Sequence, residues 1–188
     1  MNKILSVLFL ICFALTACTI NADIKSDPTT VSSTFESATE ADLAYSEMIN
    51  QQFDQLVEHW NGSYPDYYCG CYIDNGNFYI LVNCDPDEVK NEICSSMGNP
   101  DVNVLKAKYS YNDLMNNQKQ IEDIIFEQSK SGNEAAKKVI GIGTSEKDNI
   151  IDIEVLNMTD EDKTELQKLL SNNEMIRFIN TDDPGEEL

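Results

Sequence analysis

His59 is the one histidine among 188 residues, so imidazole chemistry would rest on a single side chain. It stands where an expected helix runs into the turn-forming residues Trp60-Asn61-Gly62-Ser63-Tyr64-Pro65. A lone histidine in such a place serves packing or solvation far more often than catalysis. The chain has no Gly-x-Ser-x-Gly elbow, no His-Glu-x-x-His pair and no phosphate-cradling glycine loop. Gly141-Ile142-Gly143 opens like a dinucleotide fingerprint, but it lacks the third glycine and a following helix. Asp and Glu number 33, so abundant that a catalytic acid pair stays open on composition alone. No enzyme is expected, and no cofactor.

The cysteines stand at 12, 18, 69, 71, 84 and 94. Met1-Asn2-Lys3 is a short basic start, and Ile4 to Ala14 is an apolar run too short for a spanning helix. Leu15-Thr16-Ala17-Cys18 follows and resembles the lipobox of bacterial lipoprotein precursors. The resemblance implies cleavage after Ala17, lipidation of Cys18, and a cell-membrane protein that faces the extracytoplasmic side. Cys69, Cys71, Cys84 and Cys94 remain in the body, and outside the cytoplasm an even count favours disulfides. Three pairings are open. Cys69–Cys84 with Cys71–Cys94 is expected, because strand neighbours two residues apart do not bridge comfortably. Each bond would add roughly 2–4 kcal/mol. Buried free thiols are the alternative. A zinc site is disfavoured, since four-thiolate sites use Cys-x-x-Cys-like loops rather than Cys-x-Cys on a strand, and no metal is expected.

These cysteines need a frame, and the stretch Tyr67 to Cys84 supplies it. Asn75-Gly76 between two aromatic and β-branched runs predicts a two-residue hairpin. Asp74 should then face Asn77, Ile73 face Phe78, Cys71 face Ile80 and Cys69 face Val82. One face would carry Cys69, Cys71, Ile73, Phe78, Ile80, Val82 and Cys84, the other Tyr68, Gly70, Tyr72, Tyr79 and Leu81. Tyr64, Tyr67, Tyr68, Tyr72 and Tyr79 gather near that second face, where they would pack or form an interface patch.

Residues 1–17 are expected as the signal peptide and 18–40 as a flexible tether rich in Ser, Thr, Asp and Ala. Residues 41–130 should form an amphipathic helix and a first lobe, residues 131–188 a second lobe and an acidic tail. The first helix carries Leu43, Met48, Ile49, Phe53, Leu56 and Val57 at mostly three- and four-residue intervals. Asp85-Pro86-Asp87-Glu88 reads as a helix start, with Val89, Ile93 and Met97 buried and Gly98-Asn99-Pro100 as the stop. Val102 to Ser110 reads as a strand. Tyr111 to Gln128 reads as a helix capped by Ser110, with Leu114, Ile121, Ile124 and Ile125 inward. Val139 to Gly143 and the alternating Ile151, Ile153 and Val155 read as strands around a polar turn, Ser145 to Asn149. Thr159 and Asp162 suggest a capping box, and Met175 to Ile179 a last strand. Both halves thus run strand, turn, strand, helix, strand. Cys69-Gly70-Cys71-Tyr72 answers Ile140-Gly141-Ile142-Gly143, as an internal duplication would. The expected fold class is α+β, with two similar lobes of small antiparallel sheets packed on helices.

With these motifs in place, residues from about Tyr64 to Asn180 resemble the pro-regions of α-lytic-protease-like and streptogrisin-like serine proteases. The likeness rests on Tyr67-Tyr68-Cys69-Gly70-Cys71-Tyr72-Ile73-Asp74 with Gly76-Asn77, on Lys108-Tyr109-Ser110-Tyr111-Asn112-Asp113-Leu114, and on Val139-Ile140-Gly141-Ile142-Gly143. It implies a two-lobed α+β domain that folds and tightly inhibits its protease. Cysteines at 69 and 71 replace the small residues common there. With no protease sequence after Leu188, a stand-alone module is expected.

Lys and Arg number 13 against the 33 acids, a formal net charge of -20. Such a surface repels nucleic acid and anionic headgroups and suits solvent or a cationic partner. The leading expectation is a membrane-anchored, non-enzymatic protein-binding module, a stand-alone inhibitor or folding assistant of an exported serine protease. Its contacts would come by strand addition at exposed sheet edges and at Met175, Ile176, Arg177, Phe178 and Ile179. The alternative is a surface lipoprotein with a structural or cation-capturing role, although no Asp-x-Asp-x-Asp-Gly loop is present.

Overall fold

The computed structural model describes residues 40–182. Cys18, the rest of the tether before Glu40 and the tail residues 183–188 lie outside them. Helix α1 (Glu40–His59) leads to a hairpin of β1 (Tyr68–Asp74) and β2 (Asn77–Val82), then α2 (Pro86–Met97) and β3 (Asn103–Lys106). The second lobe follows as α3 (Tyr111–Lys130), the short α4 (Glu134–Lys137), β4 (Val139–Ser145), β5 (Ile150–Leu156), α5 (Asp160–Leu169) and β6 (Ile176–Thr181). The strands form two three-stranded sheets, ordered β1-β2-β3 and β4-β5-β6. The fold is α+β with two lobes of the expected element order. Each hairpin pairs antiparallel, whereas β3 and β6 run parallel to their neighbours. In both lobes a helix carries the chain back along the sheet, which parallel pairing requires.

The turns and caps follow from their residues. Asn75 and Gly76 both take positive φ, 49° and 72°, as a two-residue hairpin turn demands. The Asp85 carboxylate accepts from the Asp87 N–H at the start of α2, Pro86 occupies the first turn, and Gly98 ends the helix at φ 62°. Ser110 caps α3 through the Asp113 N–H.

Thr159 and Asp162 form the reciprocal capping box of α5. Asp162 also accepts from Lys138 Nζ at 2.6 Å. The hydrogen bond from Lys138, with those from Thr159, holds its carboxyl down at about 2. A depressed carboxylate contributes stability above its unfolded value, near 4, and loses it as pH falls through its folded value. Asp162→Asn is therefore expected to flatten the loss of urea stability between pH 4 and 2. An unchanged slope would contradict the pairing.

The hairpin register agrees with expectation from Asp74↔Asn77 to Cys71↔Ile80 and then departs from it. A bulge puts Gly70 across from Leu81 and Tyr68, not Cys69, across from Val82. Cys69 is the extra residue, so the thiols of Cys69 and Cys71 do not follow simple alternation. Tyr68 accordingly enters the core that β2 faces, rather than the opposite surface. Gly70 carries φ 121°, a backbone state that a side chain rarely adopts.

Each lobe has its own core. In the first, Ile49 and Leu56 of α1 and Ile93 and Met97 of α2 pack on Phe78, Ile80 and Val82. In the second, Leu114, Ile121 and Ile125 of α3 and Leu166 of α5 pack on Ile151, Ile153 and Val155. The expected stripes were too wide. Leu43 and Met48 on α1 and Ile124 on α3 are exposed, since the facing surface covers a narrower arc than the apolar residues span. Strand β3 is shorter than the expected Val102–Ser110, because Tyr109 and Ser110 instead join the second lobe and cap α3.

The lobes repeat one register. The bulge between Val139 and Gly141 matches that between Tyr68 and Gly70, and Ile142↔Ile153 matches Cys71↔Ile80. Cys69-Gly70-Cys71-Tyr72 and Ile140-Gly141-Ile142-Gly143 thus hold equivalent positions.

Candidate partner-binding surface

Strand β6 lies at one edge of the second sheet and β4 at the other. The Ile151 N–H donates to the Met175 carbonyl at 2.7 Å, and the Asn157 N–H to that of Thr181 at 2.7 Å. By alternation, the backbone groups of Phe178 point away from β5, toward an edge where no described strand lies. Of the expected contact residues, the side chains of Met175, Ile176 and Phe178 pack against the second core. Arg177 folds onto the sheet, with Nε 2.7 Å from Asp152 Oδ1 and Nη2 2.8 Å from Asp148 Oδ2. Ile179 is half-buried. This edge therefore offers a partner mainly its backbone.

The same alternation makes Ile142 and Thr144 the outward-pointing residues of β4. Beside β4 runs a groove of about 520 Å³, lined by Phe126, Ile140, Gly141, Glu122 and Asp123 among others. Phe126 is 59% exposed and Ile140 41%. An open strand edge next to an exposed aromatic, rimmed by acids, can take an extended apolar segment that carries positive charge.

His59 belongs to a surface network. Its Nε2 lies 3.2 Å from Glu92 Oε1, which also accepts from the Tyr67 hydroxyl at 3.3 Å. Trp60 Nε1 donates to that hydroxyl at 3.1 Å. Burial, with the Glu92 charge second, pushes Tyr67 up to about 12. The network ties α1 to α2 and the start of the hairpin.

All four body cysteines are free thiols in the structure, and neither Cys69–Cys84 nor Cys71–Cys94 is bonded. The Cys71 thiol is instead engaged with Glu146 and Tyr68, and burial, then the Glu146 charge, pushes it up to about 12. Burial also pushes Cys69 up to about 12, with a smaller contribution from Cys84. Thiols held this far up are poor nucleophiles. Among the described residues no three His, Cys, Asp or Glu side chains group as metal ligands, and no helix is long and apolar enough to cross a membrane.

The tyrosines divide. Tyr64 stacks on Tyr68 at 4.8 Å and meets Tyr111 edge-on at 5.0 Å, inside the first core and its margin. Tyr72 and Tyr79 stack on each other at 4.8 Å on the opposite face, with Lys147 over Tyr72.

Two residues that sequence reasoning passed over join the lobes. Glu146 and Asn149 bound the turn between β4 and β5. Glu146 Oε2 accepts from the Cys71 N–H at 2.9 Å. Asn149, buried at 7% exposure with φ 53°, accepts at Oδ1 from the N–H groups of Lys108 and Tyr109. Its amide donates to the carbonyls of Cys69 at 3.1 Å and Tyr109 at 2.9 Å. The only signal in the sequence was Asn as a residue that tolerates left-handed turns, and nothing there announces partners 40 and 80 positions away.

Burial raises the Glu146 carboxyl, opposed by the hydrogen bonds from the Cys71 N–H and thiol. Its charge is felt by Tyr64, Tyr68 and Tyr111, which burial pushes upward first of all. An acid raised in the folded state binds a proton there that the unfolded chain has already released. Its contribution to stability therefore grows as pH falls from neutral through that raised value, and levels off below the ordinary glutamate range. Glu146→Gln is expected to remove this dependence in urea melts at stepped pH. A wild-type curve parallel to the variant's would contradict it.

The comparisons with known proteins bear on the first lobe. Residues 34–108 match the model of a family described as a Pro-like N-terminal domain. No curated protein matches the chain. The matched span contains α1 through β3, so the likeness to a Pro-like domain lies in the first lobe.

Proposed function

We propose that the chain is a lipid-anchored, extracytoplasmic module that binds an exported serine protease, as a stand-alone inhibitor or folding assistant. The observation that carries this reading is the prodomain-like match over residues 34–108. Three features support it. The second lobe repeats the topology and bulge of the first, consistent with an internal duplication that gives the pair a common design. The second sheet offers two strand edges, and main-chain hydrogen bonds at such edges are a general means of holding an extended segment. The net charge of -20 draws a cationic partner and speeds its encounter. Anchoring rests on the Leu15-to-Cys18 motif, and a diacylglyceryl mass on Cys18 would establish it.

The described residues 40–182 belong to one compact unit, and residues 38–188 serve as bait against the envelope and medium of the native organism. Capture of a serine protease whose activity is lost in the complex is the expected result. Repeated capture of no protease would contradict the reading.

A further inference from the structure

The turn between β4 and β5 touches the first sheet at its edge. Strand β1 is an edge strand, so its outward backbone groups would ordinarily stay open to solvent or to another strand. Cys71 is one of those outward residues, since its N–H donates to Glu146 rather than across the hairpin to Ile80. Two residues earlier, the Cys69 carbonyl accepts from the Asn149 amide. One side chain thus supplies an acceptor and the other a donor, the complement an added strand would present. Gly70 lies between them, and its φ of 121° favours glycine, while a Cβ there would meet the Glu146 side chain in ordinary contact at 3.5 Å. Lys147, in the same turn, pairs with Asp74 at 3.0 Å near the end of β1.

We propose that this turn is a latch, in which Glu146 and Asn149 occupy the edge of β1 and close the first sheet to strand addition while the lobes are docked. Withdrawing it frees the backbone of Cys69 and Cys71, next to the outward backbone of Ile73. The first occupant of the freed edge is β1 of a second copy. Between Tyr68 and Asp74 the strand carries charge only at Asp74, so repulsion along the strand contact is small despite the acidic chain. The latch acts on the first sheet alone and leaves the edges of β4 and β6 open, so it stands or falls independently of protease binding.

Hydrogen exchange at the Cys71 amide, followed by NMR in the full chain, reads the latch directly. Glu146→Gln keeps an acceptor oxygen and should exchange within about twofold of wild type, whereas Glu146→Ala should exchange at least about tenfold faster, the scale of one hydrogen bond. Glu146→Ala combined with Asn149→Ala should form concentration-dependent dimers in light scattering, and adding Ile73→Pro at the β1 edge should abolish them. Circular dichroism reports whether the combined variant is folded; where it is not, Glu146→Ala alone takes its place in the dimer measurement. Unchanged exchange in Glu146→Ala would overturn the proposal. So would a folded variant that stays monomeric with its Cys71 amide freed, or dimers that survive Ile73→Pro.

Discussion

Replacing Asn149 with Ala is expected to destabilise the folded body by about 4 kcal/mol. The side chain is buried and makes four hydrogen bonds, to the N–H groups of Lys108 and Tyr109 and the carbonyls of Cys69 and Tyr109. Each backbone group left unsatisfied in a buried joint costs on the order of 1–3 kcal/mol, and water that enters the vacated space recovers part of it. The left-handed φ of 53° adds about 1 kcal/mol for Ala, which Asn149→Gly would avoid. Urea denaturation of the two variants separates these contributions. A loss below about 1 kcal/mol for Asn149→Ala would mean that the joint is not held as described.

The second large effect concerns the two cores. Ile80 and Ile153 hold equivalent positions at the centre of their sheets, and both are fully buried. Truncation of either to Ala removes three carbons from a packed interior and is expected to cost about 3 kcal/mol. The two side chains belong to separate clusters with no shared members. Their costs should therefore add to within about 0.5 kcal/mol in the double variant. A coupling beyond about 1 kcal/mol would show that the lobes share one core.

Local signals made most of the fold legible. Asn75-Gly76 announced the hairpin because only such residues accept two successive positive φ values cheaply. Asp85-Pro86 and Thr159 with Asp162 announced helix starts because capping is a short-range interaction. The alternation Ile151, Ile153, Val155 fixed the buried face of β5. What failed was set by tertiary geometry. The bulge at Cys69 leaves no mark in the alternation, yet it moves Tyr68 into the core and takes Cys69 out of the expected register. The parallel direction of β3 and β6 depends on how a helix crosses a sheet. The exposure of Ile124 and Leu43 depends on how much of each helix a neighbour covers.

The candidate site was legible in outline only. Met175 to Ile179 was read as a terminal strand, and β6 lies at the edge of its sheet. Its side chains, however, serve the second core and an ion-pair cluster on the sheet. Glu146 and Asn149 looked like ordinary turn residues because their partners are distant in sequence. The groove between Phe126 and Ile140 joins a helix to a strand across α4, a four-residue helix that no periodic pattern could signal.

Under the proposed function, the two-lobed body binds a serine protease as a pro-region does. Titration of the captured protease with residues 38–188, followed by hydrolysis of a peptide substrate, tests it most directly. Activity should fall in proportion to added protein and vanish near one equivalent, with the complex stable on gel filtration. Full activity at saturating protein, with no complex formed, would contradict it.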